Sequence, residues 1–320
     1  MRLVITGGAG FIGSNLARRC IPHVEELTVL DDLSTGFIEN IVGLDVRMVE
    51  ASVLDEESVA KVLRGADAVV HLAALGSVPR SIRNPTATHL VNATGTLTVL
   101  EQARRADVGH VVVASSSSVY GSNPALPKRE SDWVGPMSPY AVSKLATEQY
   151  ALAYRHAYGM DTLAFRFFNV YGPGQRAGHA YAAVIPAFID ALLTKRPLVV
   201  NGTGEHSRDF TFVGSVCDVL WDSLARRVTH PGPVNLAFGT RVSLNDLIRV
   251  LADVAGREPI VHNGPPRLGD VWHSSADTGL LRSLFHDIEP TTLRVGLTRT
   301  IDWFSMAGVR ETSAGPLIAR

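Results

Sequence analysis

Apolar runs alternate with helical periodicity over roughly the first half of the chain. Buried strands are predicted at 2–6, 27–30, 45–50, 68–74, 109–114 and 163–168. Helices are predicted between them, at 14–19, 55–63, 85–106 and 139–158. Strands that are apolar throughout and alternate with helices are typical of a parallel sheet covered on both faces. The pattern therefore predicts an α/β fold with a doubly wound parallel sheet.

The second half begins with a break in this pattern. A proline and three glycines lie between 172 and 178 and end regular structure there. We therefore predict two domains, 1–168 and 169–320, with some strands of the second returning to the first. A helix is expected from 181 to about 195, and a strand at 198–200. Because no repeat or low-complexity linker separates the halves, close packing is expected.

Composition narrows the class of protein. The chain has 320 residues, of which 46% are hydrophobic, enough for a large core. A net charge of −1 gives no general field for nucleic acid or an anionic membrane, so discrete anion sites are expected. Two cysteines, no spanning apolar run and no signal-peptide layout favour a cytoplasmic protein. No metal site is predicted.

A glycine-rich turn follows the first strand. Gly7, Gly10 and Gly13 are spaced three apart and lead into a helix, which lets the backbone approach a pyrophosphate at the helix N-terminus. Asp31 ends the second strand, where a carboxylate accepts hydrogen bonds from a ribose diol and repels a 2′-phosphate. A glycine turn without a ligand is the alternative, but the order strand, turn, helix, strand and acid favours NAD.

Other polar residues fall where parallel strands end. Ligands of such sheets lie beyond the carboxyl ends of the strands, where 71–77, 115–118 and the turn after Phe168 fall. His71 could be a catalyst, but a backbone-tethering role is favoured because no second histidine or carboxylate motif accompanies it. Asn92 lies in an apolar helix, where its amide needs a partner, so we expect it to position the active-site backbone.

The stretch from Ser138 to Lys144 carries the candidate chemistry. Ser138 and Pro139 are typical of a helix start, so Tyr140 and Lys144 are predicted on one helical face. Burial raises the pKa of a phenol, whereas a neighbouring ammonium favours the phenolate. Ser116 at a strand end could pass a proton to it. The alternatives are an ordinary amphipathic helix and a serine-rich loop.

Together these motifs resemble the extended short-chain dehydrogenase/reductase family, in its nucleotide-sugar epimerase and dehydratase branch, from residue 1 to about 304. The resemblance implies a Rossmann-type sheet with a smaller α/β substrate domain, and a homodimer through helices near 85–106 and 139–158. It implies Tyr140 as the general base, Lys144 as the residue that tunes it and holds the nicotinamide ribose, and Ser116 as a proton-transfer aid. The implied NAD contacts are Gly7, Gly10, Phe11, Ile12, Gly13, Asp31, Asp32, Ser34, Thr35, Gly36, Leu72, Ala73, Ala74, Asn92, Ser115, Tyr140, Lys144 and Phe167. Ser52 departs from the family pattern, since members often have an adenine-binding Asp there.

The same resemblance implies a sugar-nucleotide site in the second half. The chain is particularly similar to UDP-N-acetylhexosamine 4-epimerases at 76–81, 180–186 and 269–274. In that group the position of Ser274 lies beside C2 of the sugar, where a small side chain leaves room for an acetamido group. The implied substrate contacts are Ser77, Ser117, Ser118, Asn169, Gln175, Ala183, Val184, Arg208, Arg267, Asp270 and Ser274.

The function expected is 4-epimerisation of a UDP-sugar through a 4-keto intermediate, on UDP-GlcNAc/UDP-GalNAc and also UDP-glucose/UDP-galactose. A 4,6-dehydratase needs an added acid and base, and family dehydratases have Asp-Glu where this chain has Ser117-Ser118. A UDP-glucuronate epimerase or decarboxylase stays open, because Arg176 could bind a carboxylate or be a solvated loop residue. A non-catalytic NAD-sensing protein would be expected to have lost Tyr140 or Lys144.

Overall fold

A computed structural model describes residues 1–177, 183–265 and 272–313. Within these residues the main sheet has seven parallel strands, in the order β11-β6-β5-β4-β1-β2-β3. Its strands are β1 (Arg2–Thr6), β2 (Glu26–Asp31), β3 (Arg47–Glu50), β4 (Ala68–His71), β5 (His110–Ser116), β6 (Thr162–Phe167) and β11 (Val234–Leu236). The predicted α/β fold with a parallel, Rossmann-type sheet is confirmed.

The remaining strands form three small two-stranded sheets. These pairs are β7 (Val170–Tyr171) with β10 (Thr211–Phe212), β8 (Leu198–Asn201) with β13 (Val261–Gly264), and β9 (Ser207–Asp209) with β12 (Arg241–Ser243). The first two pairs are parallel and the third is antiparallel. Val170 of β7 and Arg208 of β9 line the cavity described below.

Helices connect the strands and cover both faces of the main sheet. They are α1 (Phe11–Cys20), α2 (Glu56–Leu63), α3 (Val78–Arg83), α4 (Pro85–His89), α5 (Gly95–Arg105), α6 (Pro139–Tyr158), α7 (Val184–Leu193), α8 (Val213–Ala225), α9 (Leu244–Ala255), α10 (Gly279–Leu284) and α11 (Leu293–Ser313). In the described part of the chain, no helix combines the length and apolar character needed to cross a membrane.

Alternate residues of β1 show how the core is divided between the two faces. Leu3 and Ile5 belong to an apolar cluster with α1, α7, α8 and α9. Val4 belongs to a second cluster with α2, α5 and α6 on the opposite face. Because successive side chains of a strand point to opposite faces, each face of β1 needs its own helical layer. Because both faces of the sheet are covered by helices, a ligand can approach at the ends of the strands.

Several element boundaries differ from the predictions. β4 ends at His71 because the chain leaves the sheet to contact the glycine turn, where a β-carbon on Gly7 would lie 2.6 Å from the Ala73 amide nitrogen. The long helix predicted at 85–106 is interrupted by a π-helical turn at Leu90–Thr94. α7 ends at Leu193, before Lys195, whose φ of 56° is left-handed. β11, from the second half of the chain, pairs beside β6 in the main sheet; the division into two domains at 169 stays a prediction.

Candidate active site

A cavity of about 890 Å³ opens at the carboxyl ends of the parallel strands. Its lining comes from the glycine turn after β1, the ends of β2, β5 and β6, the start of α6, and residues of the second half of the chain. Most of the residues predicted for cofactor, catalysis and substrate lie on this one cavity. The fold therefore brings together groups that are more than 200 residues apart in the sequence, such as Gly7 and Ser274.

The glycine turn has the shape that a pyrophosphate needs. Gly7 has a φ of +71°, and a β-carbon on Gly13 would lie 2.2 Å from the Gly7 carbonyl oxygen. Gly10 is different, because a β-carbon there would have one near atom, the Gly7 oxygen at 3.1 Å. α1 starts at Phe11 without an acidic residue in its first turn, so its positive end is available to an anion. These observations fit a dinucleotide.

Asp31 presents its carboxylate beside the glycine turn. It accepts hydrogen bonds from the amides of Ala9 at 3.0 Å and Leu33 at 2.9 Å. A β-carbon on Gly36 would lie 2.8 Å from Oδ1, so the following loop packs tightly against the acid. Burial raises the pKa of Asp31, while the two amides oppose this shift. Its remaining acceptor capacity suits a ribose diol.

The other residues predicted to bind the cofactor line the same cavity, with one exception. Those on its surface besides the residues above are Phe11, Ile12, Asp32, Ser34, Thr35, Leu72, Ala73, Ala74, Ser115 and Phe167. The exception is Asn92, which is described below. Ser52 does not line the cavity either; its hydroxyl accepts from the Leu54 amide at 3.2 Å. Ala51 and Val53 line it instead, and the sequence reasoning had not selected them.

The candidate catalytic residues lie at the start of α6, where Ser138 and Pro139 predict a helix N-terminus. The Ser138 hydroxyl accepts a hydrogen bond from the Ala141 amide at 3.1 Å, and Pro139 occupies the first turn. Tyr140 and Lys144 both line the cavity. Ser116, at the end of β5, lies near the Tyr140 phenol and acts to lower its pKa. The fold therefore places a strand-end hydroxyl beside the candidate base.

Burial dominates the pKa values of Tyr140 and Lys144. The Lys144 ammonium donates to the Ala114 carbonyl oxygen at 2.8 Å. Burial lowers the pKa of Lys144 to about 8. Burial also raises the pKa of Tyr140, and Ser116 only partly offsets this shift. Desolvation therefore dominates the pKa of Tyr140 in the protein alone, and the expected influence of Lys144 on the phenol stays a prediction.

Two buried polar residues behind the cavity position its wall. Asn92 accepts from the Leu75 amide at 2.8 Å and donates to the Ser143 hydroxyl at 2.9 Å, joining the chain after β4 to α6. His71 hydrogen-bonds Thr6 at 2.7 Å and Thr96 at 3.0 Å, and burial lowers its pKa to about 3. Neither residue lines the cavity. Asn92 thus supports the wall, whereas neutral His71 joins two threonine side chains of β1 and α5 and not the backbone predicted for it.

A buried ion pair supports the catalytic elements, and sequence reasoning missed it. Glu148, one turn after Lys144 in α6, forms a bidentate pair with Arg166 of β6, with N···O distances of 2.8 and 2.7 Å. The Ser115 hydroxyl donates to the same carboxylate at 3.0 Å. The signal was an arginine inside an otherwise apolar strand, which requires a buried acidic partner.

The substrate side of the cavity contains most of the predicted residues. Ser77, Ser117, Ser118, Asn169, Gln175, Ala183, Arg208 and Ser274 line it. Val184 does not; it is the first residue of α7. Arg267 and Asp270 lie outside the described residues. Lys128, Met137 and His273 also line the cavity and were not predicted.

The amide of Gln175 leaves an acceptor for a ligand. Its Nε2 donates to the Val170 carbonyl oxygen at 3.3 Å. Its Oε1 is buried, and no partner for it is found among the described residues. Because a buried acceptor without a donor is costly, a ligand hydroxyl or amide is the expected partner. This observation supports the predicted substrate role of Gln175.

Asp209, which follows Arg208, holds the surrounding segments together. Its carboxylate accepts from the Ala276 amide at 3.1 Å and from the Thr240 amide and hydroxyl at 3.2 Å. Burial raises its pKa to about 6. The Ser274 amide donates to the carbonyl oxygen of Ser207, next to Arg208, at 3.0 Å. Asp209 therefore positions two segments of the substrate side, although it does not line the cavity itself.

The protein combines a doubly wound parallel sheet, a glycine turn at a helix N-terminus and a Tyr–Lys–Ser cluster. These features define the class of dinucleotide-binding α/β enzymes. The chain belongs to the NAD dependent epimerase/dehydratase family, whose model matches residues 3–237. The predicted family, the NAD cofactor and the enzymatic nature of the protein are thereby confirmed.

Similar proteins share this fold over almost their full length. The chain is 36% identical to a UDP-glucose 4-epimerase of Mycolicibacterium smegmatis, with 95% of this chain and 98% of that protein covered. It is 32% identical to a dTDP-glucose 4,6-dehydratase of Streptomyces niveus, with 95% and 93% covered. A solved UDP-N-acetylglucosamine 4-epimerase from Methanobrevibacter ruminantium, in complex with UDP-N-acetylmuramic acid, has a TM-score of 0.90 and 34% identity, with 96% and 98% covered. The family thus includes both epimerases and dehydratases.

Proposed function

We propose that the protein is a UDP-sugar 4-epimerase that inverts C4 through a 4-keto intermediate, using UDP-GlcNAc and UDP-GalNAc and also UDP-glucose and UDP-galactose. The observation that carries the proposal is the cluster of Tyr140, Lys144 and Ser116 on a cavity that also has a small residue, Ser274, on its substrate side. The same cavity holds the glycine turn that fits NAD.

In the proposed reaction Tyr140 takes the proton of the sugar 4-hydroxyl, through or beside Ser116, as the C4–H bond breaks and the C4 carbonyl forms. Held at the glycine turn and Asp31, NAD would supply the acceptor and then the donor of the C4 hydride and a positive charge that favours the phenolate. Tyr140 then returns its proton to the C4 oxygen, so the reaction is redox-neutral overall. Lys144 would hold the nicotinamide ribose and contribute positive charge near the phenol.

The substrate side has groups that suit a nucleotide diphosphate sugar. Arg208 lines the cavity and would neutralise part of the diphosphate charge, as arginine does well through its forked donors. The unpartnered Oε1 of Gln175 would accept from a sugar hydroxyl or acetamido N–H. Ser274 leaves space beside C2 that a larger residue would fill.

Other reactions of the family have weaker support. A 4,6-dehydratase must also remove a C5 proton and protonate the C6 leaving group. Ser117 and Ser118 stand after Ser116, and Ser118 donates to the Ser116 hydroxyl at 2.9 Å. Hydroxyls are poor substitutes for that acid and base pair. Arg176, the residue considered for the carboxylate of a hexuronate, lies off the cavity lining and pairs with Glu39, so it gives no support to that substrate.

The test is an NMR assay of UDP-GlcNAc, UDP-glucose and UDP-glucuronate with the intact protein, following the anomeric signals. The C4 epimer of the first two supports the proposal, whereas a keto-deoxy sugar, a pentose or no turnover overturns it. Tyr140→Phe should retain NAD and lose turnover by several orders of magnitude. Tyr158→Phe is the matched control, since Tyr158 lies on the same helix and is 57% exposed; it should keep parental turnover.

The proposed assembly is a homodimer in the cytoplasm. Exposed apolar side chains within the predicted interface segments 85–106 and 139–158 support it, including Leu90 at 42% and Val142 at 51% exposure. Cys20 and Cys217 are free and buried, which suits a reducing compartment. Light scattering of the purified protein tests the dimer, and a monomeric mass at micromolar concentration would contradict it.

A further inference from the structure

Residues 172–177 form a segment, here called the strap, that lies on the N-terminal end of α1. Asn15 of α1 donates from Nδ2 to the Pro173 carbonyl oxygen at 2.8 Å and to the Phe11 carbonyl oxygen at 2.9 Å. A β-carbon on Gly174 would lie 3.3 Å from the same Nδ2. The strap therefore rests directly on the end of the helix that faces the expected pyrophosphate.

Arg176, near the end of the strap, reaches the loop after β2. The guanidinium carbon of Arg176 lies 3.6 Å from the centre of the Phe37 ring. Its Nη2 is also 3.4 Å from a carboxylate oxygen of Glu39. Arg176 and Glu39 keep 38% and 68% of their side chains exposed, so the planar contact with the ring is the stronger component. We call these three residues the clasp.

The loop that carries Phe37 and Glu39 is anchored on the glycine turn. The Phe37 amide donates to the Ala9 carbonyl oxygen at 3.0 Å, and the Asn40 side chain donates to the same oxygen at 2.9 Å. Gly36, just before Phe37, and Gln175, just before Arg176, both line the cavity. The clasp itself lies outside that lining. It therefore joins the cofactor loop to the strap at the edge of the cavity.

We propose that the strap and its clasp retain NAD on the protein while the nucleotide sugar exchanges. A cofactor that is reduced and reoxidised within one catalytic cycle must not leave between the two halves of that cycle. The strap covers the start of α1, and the clasp connects it to the loop that packs on Asp31. Opening this path for the dinucleotide requires Arg176 to leave Phe37. The inference rests on NAD dependence and not on which sugar is used.

The test measures release of NADH and needs no sugar. The protein is loaded with NADH, mixed with excess NAD⁺, and the loss of bound-NADH fluorescence is followed. Arg176→Gln and Phe37→Leu should each increase the release rate by roughly five- to thirtyfold, the value expected for loss of a cation–π contact with its ion pair. The double variant should release no faster than the faster single variant, because both changes break one contact.

Controls separate this role from a general loss of structure. Arg249→Gln removes an exposed arginine that pairs with Asp246 on α9, and should leave the release rate unchanged. The NADH release rate of Arg176→Lys should lie between those of the parent and Arg176→Gln, since an ammonium covers a ring less well than a guanidinium. Melting temperatures should stay close to the parental value for all variants, because every changed side chain is at least partly exposed.

Two results would overturn the proposal. The first is a release rate for Arg176→Gln within twofold of the parent. The second is an additive effect in the Arg176→Gln/Phe37→Leu double variant, which would mean that the two residues act separately. If Arg176 instead binds a sugar carboxylate, its replacement would weaken UDP-glucuronate binding and leave NADH release unchanged, which also contradicts a retention role. If no UDP-sugar is epimerised, the expected NADH release rates stay the same, so the two proposals can fail separately.

Discussion

The Ser115 hydroxyl donates to the Glu148 carboxylate at 3.0 Å, at the point where β5 meets the catalytic helix. Glu148 has no exposed surface, and its partner Arg166 is 3% exposed. Ser115 also reaches the Lys144 carbonyl oxygen, at 3.2 Å. One carboxylate thus fixes β5, α6 and β6 relative to one another immediately behind Tyr140 and Lys144.

Replacement of Glu148 by Gln should strongly destabilise the protein. The change leaves the Arg166 guanidinium buried without its counter-charge, which costs about 3–5 kcal/mol of unfolding free energy. Urea unfolding followed by circular dichroism measures this loss. Arg249→Gln breaks an exposed pair and should cost less than about 1 kcal/mol. Equal losses in the two variants would show that the buried pair has no special structural role.

Alanine at two glycines of the cofactor turn should have different effects. At Gly13 the new β-carbon would lie 2.2 Å from a backbone oxygen, so Gly13→Ala should lower the melting temperature and abolish NADH binding. At Gly10 the nearest atom is at 3.1 Å, so Gly10→Ala should fold and bind NADH at least tenfold more weakly, because the β-carbon occupies the space for the pyrophosphate. NADH fluorescence titration and thermal melting check both.

A matched glycine tests this interpretation. Gly232 lies in a loop away from the cavity, and a β-carbon there would make contacts no closer than 3.7 Å. Gly232→Ala should therefore keep parental melting and NADH affinity. If Gly10→Ala binds NADH as tightly as Gly232→Ala, the assignment of Gly10 to the pyrophosphate is wrong.

The fold and the catalytic helix could be predicted because their signals are local. Strand periodicity, glycines three apart and the Ser138-Pro139 helix start each depend on neighbouring residues. The residues that sequence reasoning missed depend on distant partners: Glu148 pairs with Arg166 and Asp209 holds Ala276. Asn92, within the π-helical turn, likewise depends on a partner 17 residues away, because its side-chain oxygen accepts from the Leu75 amide. Burial of Tyr140, which decides its pKa direction, is likewise a property of the assembled site.

The stability of the protein should depend on Asp209 between pH 4 and 6. Burial raises its pKa from 3.8 to about 6, so in this range the folded protein holds a proton that the unfolded chain has released. Unfolding free energy therefore falls as pH rises through this window, by roughly 3 kcal/mol in total. Asp209→Asn should lack this contribution. Denaturant unfolding of both proteins at pH 4, 5, 6 and 7 measures the difference, and parallel pH profiles would refute it.

Acid should also weaken the substrate site before it affects the cofactor. Protonation of Asp209 below about pH 6 removes an acceptor for the Thr240 and Ala276 donors, and these contacts position the segments of Arg208 and Ser274. We expect the dissociation constant of UDP to rise severalfold between pH 7 and 5, while NADH affinity changes less. Calorimetric titration with UDP measures this effect. Asp209→Asn should remove most of the pH dependence; if it does not, another group causes it.

Enlarging the residue at position 274 should separate acetamido sugars from hexoses. Ser274 lines the cavity, and its amide is fixed by the Ser207 carbonyl oxygen, so a larger side chain cannot easily move out of the site. Ser274→Tyr should reduce kcat/KM for UDP-GlcNAc at least a hundredfold, because the ring fills the space proposed for the acetamido group, and should retain activity on UDP-glucose. Ser274→Ala, which keeps the space, should accept both sugars. NMR of each reaction measures the rates. An equal loss on both sugars in Ser274→Tyr would mean that this residue does not face C2.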